Sequence, residues 1–200
     1  TSKDGTYTKI ATTAATNYTD TNVKSGTTYY YKIRANHSNG VSDASTAKGV
    51  VFVETPDITL RVNRSTGIGL GWNKISGATG YAVYRKSYSG SDVWKRVATI
   101  TNASTLSWVD TSVKNNNGSQ YRYTVRALAG SDRKTLSGCR NTGRTMVRIF
   151  TPTISKVTVG SGSMKVLWDR NTAVHGYEVR LMRGQSIDTY TVGGNQNIRT

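Results

Sequence analysis

Apolar side chains fall at alternate positions in short runs along this chain, and turn-forming residues separate the runs. In 67–72, Ile68, Leu70 and Trp72 lie on one face at a period of two. Tyr81, Val83 and Arg85 alternate with Ala82, Tyr84 and Lys86, and 121–127 alternates strictly, with Tyr121, Tyr123, Val125 and Ala127 on one side. Further strands are expected at 58–62, at 93–99 with Val97 pointing inward, at 106–108, and at 136–140 as the closing edge. Segments 87–92 and 115–118 read as turns, and no segment shows an apolar period of 3.6. Helical bundles and α/β folds are thereby excluded. Seven short strands in about 95 residues match the size of an immunoglobulin-like sandwich.

The pattern repeats. Thr55-Pro56 returns as Thr151-Pro152, 96 residues on, and Ile58, Trp72, Gly80-Tyr81 and Val83 return at the same offset as Ile154, Trp168, Gly176-Tyr177 and Val179. The front of the chain matches the second half of the same unit. Asp20 and Val23 correspond to Asp110 and Val113 at an offset of 90; Tyr29, Tyr31, Ile33 and Ala35 correspond to Tyr121, Tyr123, Val125 and Ala127 at 92. Such drift is what small loop insertions between fixed strands produce. The expected organisation is the second half of a module in 1–53, a complete module in 54–148 and the first part of a third in 149–200. The sequence is thus expected to be a window of a longer repetitive protein. Half-modules at both ends also leave open completion by strands of another chain.

These motifs resemble fibronectin type III modules of Gram-positive bacterial surface and secreted proteins. The carriers are Trp72 on the second strand, Gly80-Tyr81-Ala82-Val83 on the third, and Thr111-Ser112-Val113 leading to Gly118-Ser119-Gln120-Tyr121-Arg122-Tyr123 on the sixth. The resemblance covers essentially the whole chain and implies an all-β fold of tandem immunoglobulin-like sandwiches. It implies that Tyr121, and Tyr29 before it, form a tyrosine corner: the ring packs inward and the hydroxyl bonds backbone upstream. The third unit departs from the pattern, with Glu178 in place of Ala82 and no counterpart of 97–99 in 193–197.

Composition fits strands rather than helices. Ser and Thr number 50 of 200 residues, hydrophobic residues make up 36%, and the only cysteine, Cys139, can form no internal disulfide. The formal net charge is +16. It is uneven: 6 basic and 3 acidic side chains in 1–53, 14 and 5 in 54–147, 7 and 3 in 148–200. The middle of the chain therefore carries +9 and is suited to an acidic polymer.

Little in the sequence points to chemistry. His37 and His175 stand in different modules without metal-ligand spacing, and the 11 carboxylates form no cluster. Asp20 and Asp110 recur and read as turn residues. Gly67-Ile68-Gly69-Leu70-Gly71 has the glycines of a phosphate loop but the alternation of a strand. Five Asn-x-Ser/Thr sequons, at Asn17, Asn36, Asn63, Asn102 and Asn117, barely exceed what 14 asparagines give by chance. No catalytic residue, metal site or cofactor is expected. The candidate contact residues are two aromatics beside cations at equivalent places, Trp94 with Lys95 and Arg96, and Tyr7 with Lys9, which could stack on a sugar or dock a neighbour.

The expected function is a non-catalytic, extracellular spacer, adhesive stalk or filament of a bacterial surface protein. Its partners would be neighbouring modules of the same chain, other copies, or acidic cell-wall or host glycans, and nucleic acid is not expected. Two alternatives stand beside it: an accessory region of a secreted carbohydrate-active enzyme or protease, and electrostatic binding of acidic polymers by the central module.

Overall fold

The computed structural model describes residues 2–89 and 93–193, and the backbone of 198–199. The first elements are β1 (Thr27–Tyr31), β2 (Asn36–His37), β3 (Gly40–Val41) and β4 (Lys48–Phe52). β1 pairs antiparallel with β4, and β2 with β3. Residues 5–23 before them form no strand. Tyr7 and Lys9 therefore do not occupy the fourth-strand position expected from their likeness to Trp94.

The central region is a complete sandwich. One sheet holds β5 (Ile58–Arg64), β6 (Gly67–Trp72) and β9 (Ser107–Asp110), in the order β5-β6-β9. The other holds β7 (Gly80–Ser87), β8 (Lys95–Ile100), β10 (Gln120–Ala129), β11 (Thr135–Leu136) and β12 (Arg144–Val147). Its order is β11-β10-β7-β8, with β12 on the free length of β10. Three strands thus face four, the last of them split into two short pieces. The fold is all-β and immunoglobulin-like, as the alternation requires. The expected closing strand at 136–140 is displaced. It breaks after Leu136, and pairing resumes only at Arg144. The fourth and fifth strands begin later than expected, which leaves Trp94 just outside β8.

The core follows from that alternation. Ile68, Leu70, Trp72, Tyr81, Val83, Tyr123, Val125 and Ala127 are all buried between the sheets, with Val97 packed against them. Trp72 meets Tyr81 edge to face, with centroids 5.5 Å apart. All six residues of β6 are buried. Its glycines explain how: a Cβ at Gly69 would press on Val62 and Arg64, and one at Gly71 on Leu60. Side chains of β5 lie across the outside of β6, and only glycine leaves room for them.

After the central sandwich the pattern restarts with β13 (Ile154–Gly160), β14 (Ser163–Trp168), β15 (Gly176–Arg183), β16 (Ser186–Gly193) and β17 (Ile198–Arg199). Ile154 pairs with Trp168 and the register slips before Lys156, as Ile58 pairs with Trp72 and slips before Leu60. Trp168 meets Tyr177 edge to face at 5.3 Å, and Val192 completes a small second core. The repeat is therefore structural down to a shared bulge. The stretch 194–197, where the sequence pattern lapses, lies outside the described residues.

Candidate functional site: the joint between units

Two recurrent tyrosines organise the end of each unit. Lys24 N–H donates to the Tyr29 hydroxyl at 2.9 Å, and at the matching place the Asn116 amide donates to the Tyr121 hydroxyl at 2.6 Å. Tyr29 makes the expected bond to upstream backbone, whereas at Tyr121 the Asn116 side-chain amide takes the place of the backbone donor. The next tyrosine inward donates to the recurrent aspartate: Tyr31 to Asp20 and Tyr123 to Asp110, each at 2.9 Å. Asp110 is 1% exposed and also accepts from Arg85 at 2.6 Å and from the Ser112 N–H and hydroxyl. Burial, and then the Asp110 charge, hold the Tyr123 phenol far above its ordinary range. Asp20 and Asp110 are turn residues as expected, and they also anchor the core tyrosine, which the sequence reading missed.

The loop held by that tyrosine corner meets the next unit. Ser25 donates to the Ser76 carbonyl at 2.8 Å and accepts from the Glu54 N–H in the connecting segment at 3.0 Å. Ninety-two residues on, Asn117 accepts from the Phe150 N–H at 3.0 Å and donates to Asn171 at 2.8 Å. Asn171 returns bonds to Asn117 and to the Phe150 carbonyl, both at 3.3 Å. Glu54 and Phe150 stand 96 residues apart, the period of the repeat. The glycine after each anchor bonds the end of its own unit: Gly26 N–H to the Phe52 carbonyl, and Gly118 N–H to Arg148, each at 2.8 Å.

The receiving loop is fixed from below. Ile75 N–H donates to the Tyr81 hydroxyl at 3.1 Å, and Asn171 N–H donates to the Tyr177 hydroxyl at 2.5 Å. These tyrosines are the ones wedged against Trp72 and Trp168. Core packing in one unit therefore sets the loop on which its predecessor rests. The approach is close. Gly26 and Gly77 both have positive φ, +85° and +77°, and their backbones touch across the joint, so that a Cβ on Gly77 would collide with the Gly26 backbone. At the second joint Gly118, with φ +80°, faces Ala173.

Arg148 closes the second joint. It is 1% exposed and has no carboxylate partner among the described residues. Its guanidinium donates to the carbonyls of Ile149, Ser65 and Lys114, at 2.6, 3.2 and 3.0 Å, and lies over the Phe150 ring. A buried cation is costly unless its donors are satisfied. Here three carbonyls from three segments accept from the two terminal nitrogens, while the buried Nε has no partner among the described residues; the three bonds tie the turn after β5, the loop before β10 and the connecting segment together. Residue type hides these joints in the sequence, since Ser25 answers to Asn117 and Ile75 to Asn171. The signal that survives is a glycine three residues before each corner tyrosine, Gly26 and Gly118.

The candidate contact residues are not brought together into one site. Trp94 is half-buried, with the Lys86 ammonium 5.1 Å from its ring centroid on one side and Gly143 against it on another. Lys95 and Arg96 are exposed on β8, opposite Arg85 and Tyr84. Tyr7 is half-buried under Lys32 at 4.5 Å and donates to the Lys3 carbonyl, and Lys9 is exposed. His37 and His175 are exposed. A polar cleft of about 560 Å³ opens between Glu54, Asp57, Asn73, Cys139 and Arg140, with Arg140 paired to Asp57. No group of three or more metal-ligating side chains converges among the described residues. No helix there is long and apolar enough to cross a membrane.

No protein-family model matches the chain. It is 26% identical to Exoglucanase B of Cellulomonas fimi over 86% of its own length, and it spans only 17% of that protein. Among solved structures it is similar to the chicken CNTN1 FN1-FN3 domains, with 18% identity, a TM-score of 0.39, and coverage of 88% of this chain and 64% of that one. The assignment rests on strand order and register in the chain itself: an all-β chain with a complete immunoglobulin-like sandwich in its centre, joined at recurrent, hydrogen-bonded contacts to the strands on either side.

Proposed function

We propose that this chain is a non-catalytic, extracellular spacer whose modules are held at fixed angles. Residues 1–53 and 149–200 act as parts of modules flanking the one in 54–148. The observation that carries the reading is the joint, built twice in the same way at the period of the repeat. A flexible linker would need none of these bonds, and a Gly/Ser-rich segment would suffice. Here five residues (53–57) and six residues (148–153) separate the last strand of one unit from the first of the next, and the N–H groups of Glu54, Asp57, Arg148, Ile149 and Phe150 are all bonded. A semi-rigid rod suits display of another domain away from a surface, or side-by-side contact in a filament.

A second setting for the same role is favoured by the similarity to Exoglucanase B. The chain would then be an accessory region of a secreted carbohydrate-active enzyme, separating domains that do the chemistry. Small-angle X-ray scattering tests the spacer reading in either setting. One elongated, rigid particle with its units in line is expected. A profile that only a broad ensemble of unit orientations fits would overturn it.

A further inference from the structure

The outer face of the sheet formed by β8, β7 and β10 is covered by cations. Tyr84 and Lys86 point outward from β7, because Tyr81, Val83 and Arg85 point to the core. Arg122 stands beside Lys86 across the sheet, Arg126 beside Ala82, and Arg96 beside Tyr84. Neighbouring strands lie about 4.8 Å apart, so these side chains form one continuous patch. Each of three cations is held against a ring: Lys86 over Trp94 at 5.1 Å, Arg122 over Tyr88 at 4.7 Å, and Arg126 over Tyr84 at 6.0 Å. Such contacts fix long side chains that would otherwise lose rotamer freedom on binding.

The charge on this face is uncompensated among the described residues. Of the five acidic residues in 54–147, Asp110 is buried against Arg85, Asp57 pairs with Arg140, and Asp132 pairs with Lys134. Glu54 stands in the connecting segment at the first joint, and Asp92 lies outside the described residues. Lys86, Lys95, Arg96, Arg122 and Arg126 have no carboxylate within ion-pair distance there.

We propose that this face binds an anionic polysaccharide through Lys86, Arg96, Arg122 and Arg126, with Trp94, Tyr84 and Tyr88 serving as props for the cations. Charge complementarity selects a polyanion. The rings decide which kind. Base stacking is the main sequence-tolerant handle on a single strand, and it needs open aromatic faces. Here the rings are engaged by cations, and Trp94 also rests on Gly143. What remains is a flat cationic surface that reads regularly spaced carboxylates or sulfates. Trp94 thus supports the contact rather than stacking on a sugar. The site is independent of whether the joints are rigid.

Polygalacturonate is a suitable probe, titrated into the whole chain by calorimetry at about 50 and 300 mM salt. Saturable binding that weakens with salt is expected. K86Q/R122Q should weaken it at least tenfold, while the off-face pair K134Q/K156Q should leave it within twofold. If K86Q/R122Q does not fold, the exposed single change R96Q should still weaken binding measurably. No binding at low salt overturns the proposal, as does an equal loss in both double variants, which would indicate net charge alone. Tighter, face-dependent binding to poly(dT), or to vesicles of phosphatidylserine and phosphatidylcholine, would also overturn it.

Discussion

Removing the Asp110 carboxylate should cost the central sandwich more than any other single polar change. In the wild type this group, 1% exposed, receives Arg85, the Tyr123 hydroxyl, and the Ser112 N–H and hydroxyl. Asp110→Ala strands the Tyr123 hydroxyl, which is fully buried, at a cost of about 1–3 kcal/mol. It removes the cap of the 3-10 turn Thr111–Val113, about 1 kcal/mol. Breaking a fully buried ion pair costs ~3–5 kcal/mol. The Arg85 side chain is 25% exposed and keeps Ser112 as an acceptor, so its share is smaller, about 1 kcal/mol after solvent screening. Together the loss is about 3–5 kcal/mol, or a fall in Tm of more than about 12 °C for a domain of this size. Asp20→Ala is the internal control. Asp20 accepts from Tyr31 and the Asn22 N–H, but it is only half-buried and pairs with no arginine among the described residues. Its removal should cost about 1 kcal/mol or less. Urea denaturation followed by tryptophan fluorescence measures both. An Asp110→Ala midpoint within about 0.5 kcal/mol of wild type, or equal losses for the two variants, would refute the reasoning.

Three further outcomes follow from the same geometry. Gly77→Ala should cost about 1–2 kcal/mol for its left-handed backbone and also push the first joint apart, whereas Gly118→Ala should carry the strain with little displacement; chemical shifts of Ser25 and Ser76 in the first variant and of Asn117 and Asn171 in the second report the difference, and equal shifts at the two joints would contradict it. The raised Tyr123 phenol makes stability pH-dependent on the alkaline side. The unfolded phenol ionises near about 10 while the native one keeps its proton, so the contribution is complete below that pH and is lost as pH rises above it. Tyr123→Phe should flatten the slope of stability between about pH 10 and 12, and parallel slopes for the two proteins would count against the assignment. Arg148→Met should leave the carbonyls of Ser65, Lys114 and Ile149 without their donor and loosen the second joint before the core melts; hydrogen exchange should rise first at the Gly118 N–H, and uniform exchange would argue against it.

Much of this architecture is legible in the chain because a strand announces itself by alternation. Alternation placed Tyr81 with Val83 and Tyr123 with Val125 on shared strand faces, and the repeat matched Trp72 and Tyr81 to Trp168 and Tyr177, but the edge-to-face packing of each Trp on its Tyr emerges only from the fold. Edges were less legible. The closing strand breaks between Leu136 and Arg144 because Ser137 turns its hydroxyl to the Ala127 N–H, replacing a ladder bond with a side-chain one. Nothing in the alternation signals that exchange. The joints were invisible for a different reason. Their bonds run between segments about 30 to 55 residues apart and use Ser25, Asn117, Ser76 and Asn171, polar residues that elsewhere in this chain merely decorate turns. Tyr7 and Trp94 were paired by sequence likeness, but only Trp94 stands next to a formed strand, and its ring supports Lys86 instead of facing outward.

The central claim is that adjoining units are locked, and the distance distribution across one joint tests it most directly. Spin labels at Ser131→Cys and Ser161→Cys, both exposed and in a Cys139→Ser background, bracket the second joint. Double electron–electron resonance should give a single distance with a width set by the labels alone. Asn117→Ala, which removes the bonds to Phe150 and Asn171, should broaden it without altering the core. A wild-type distribution already as broad as that of the variant would contradict the account.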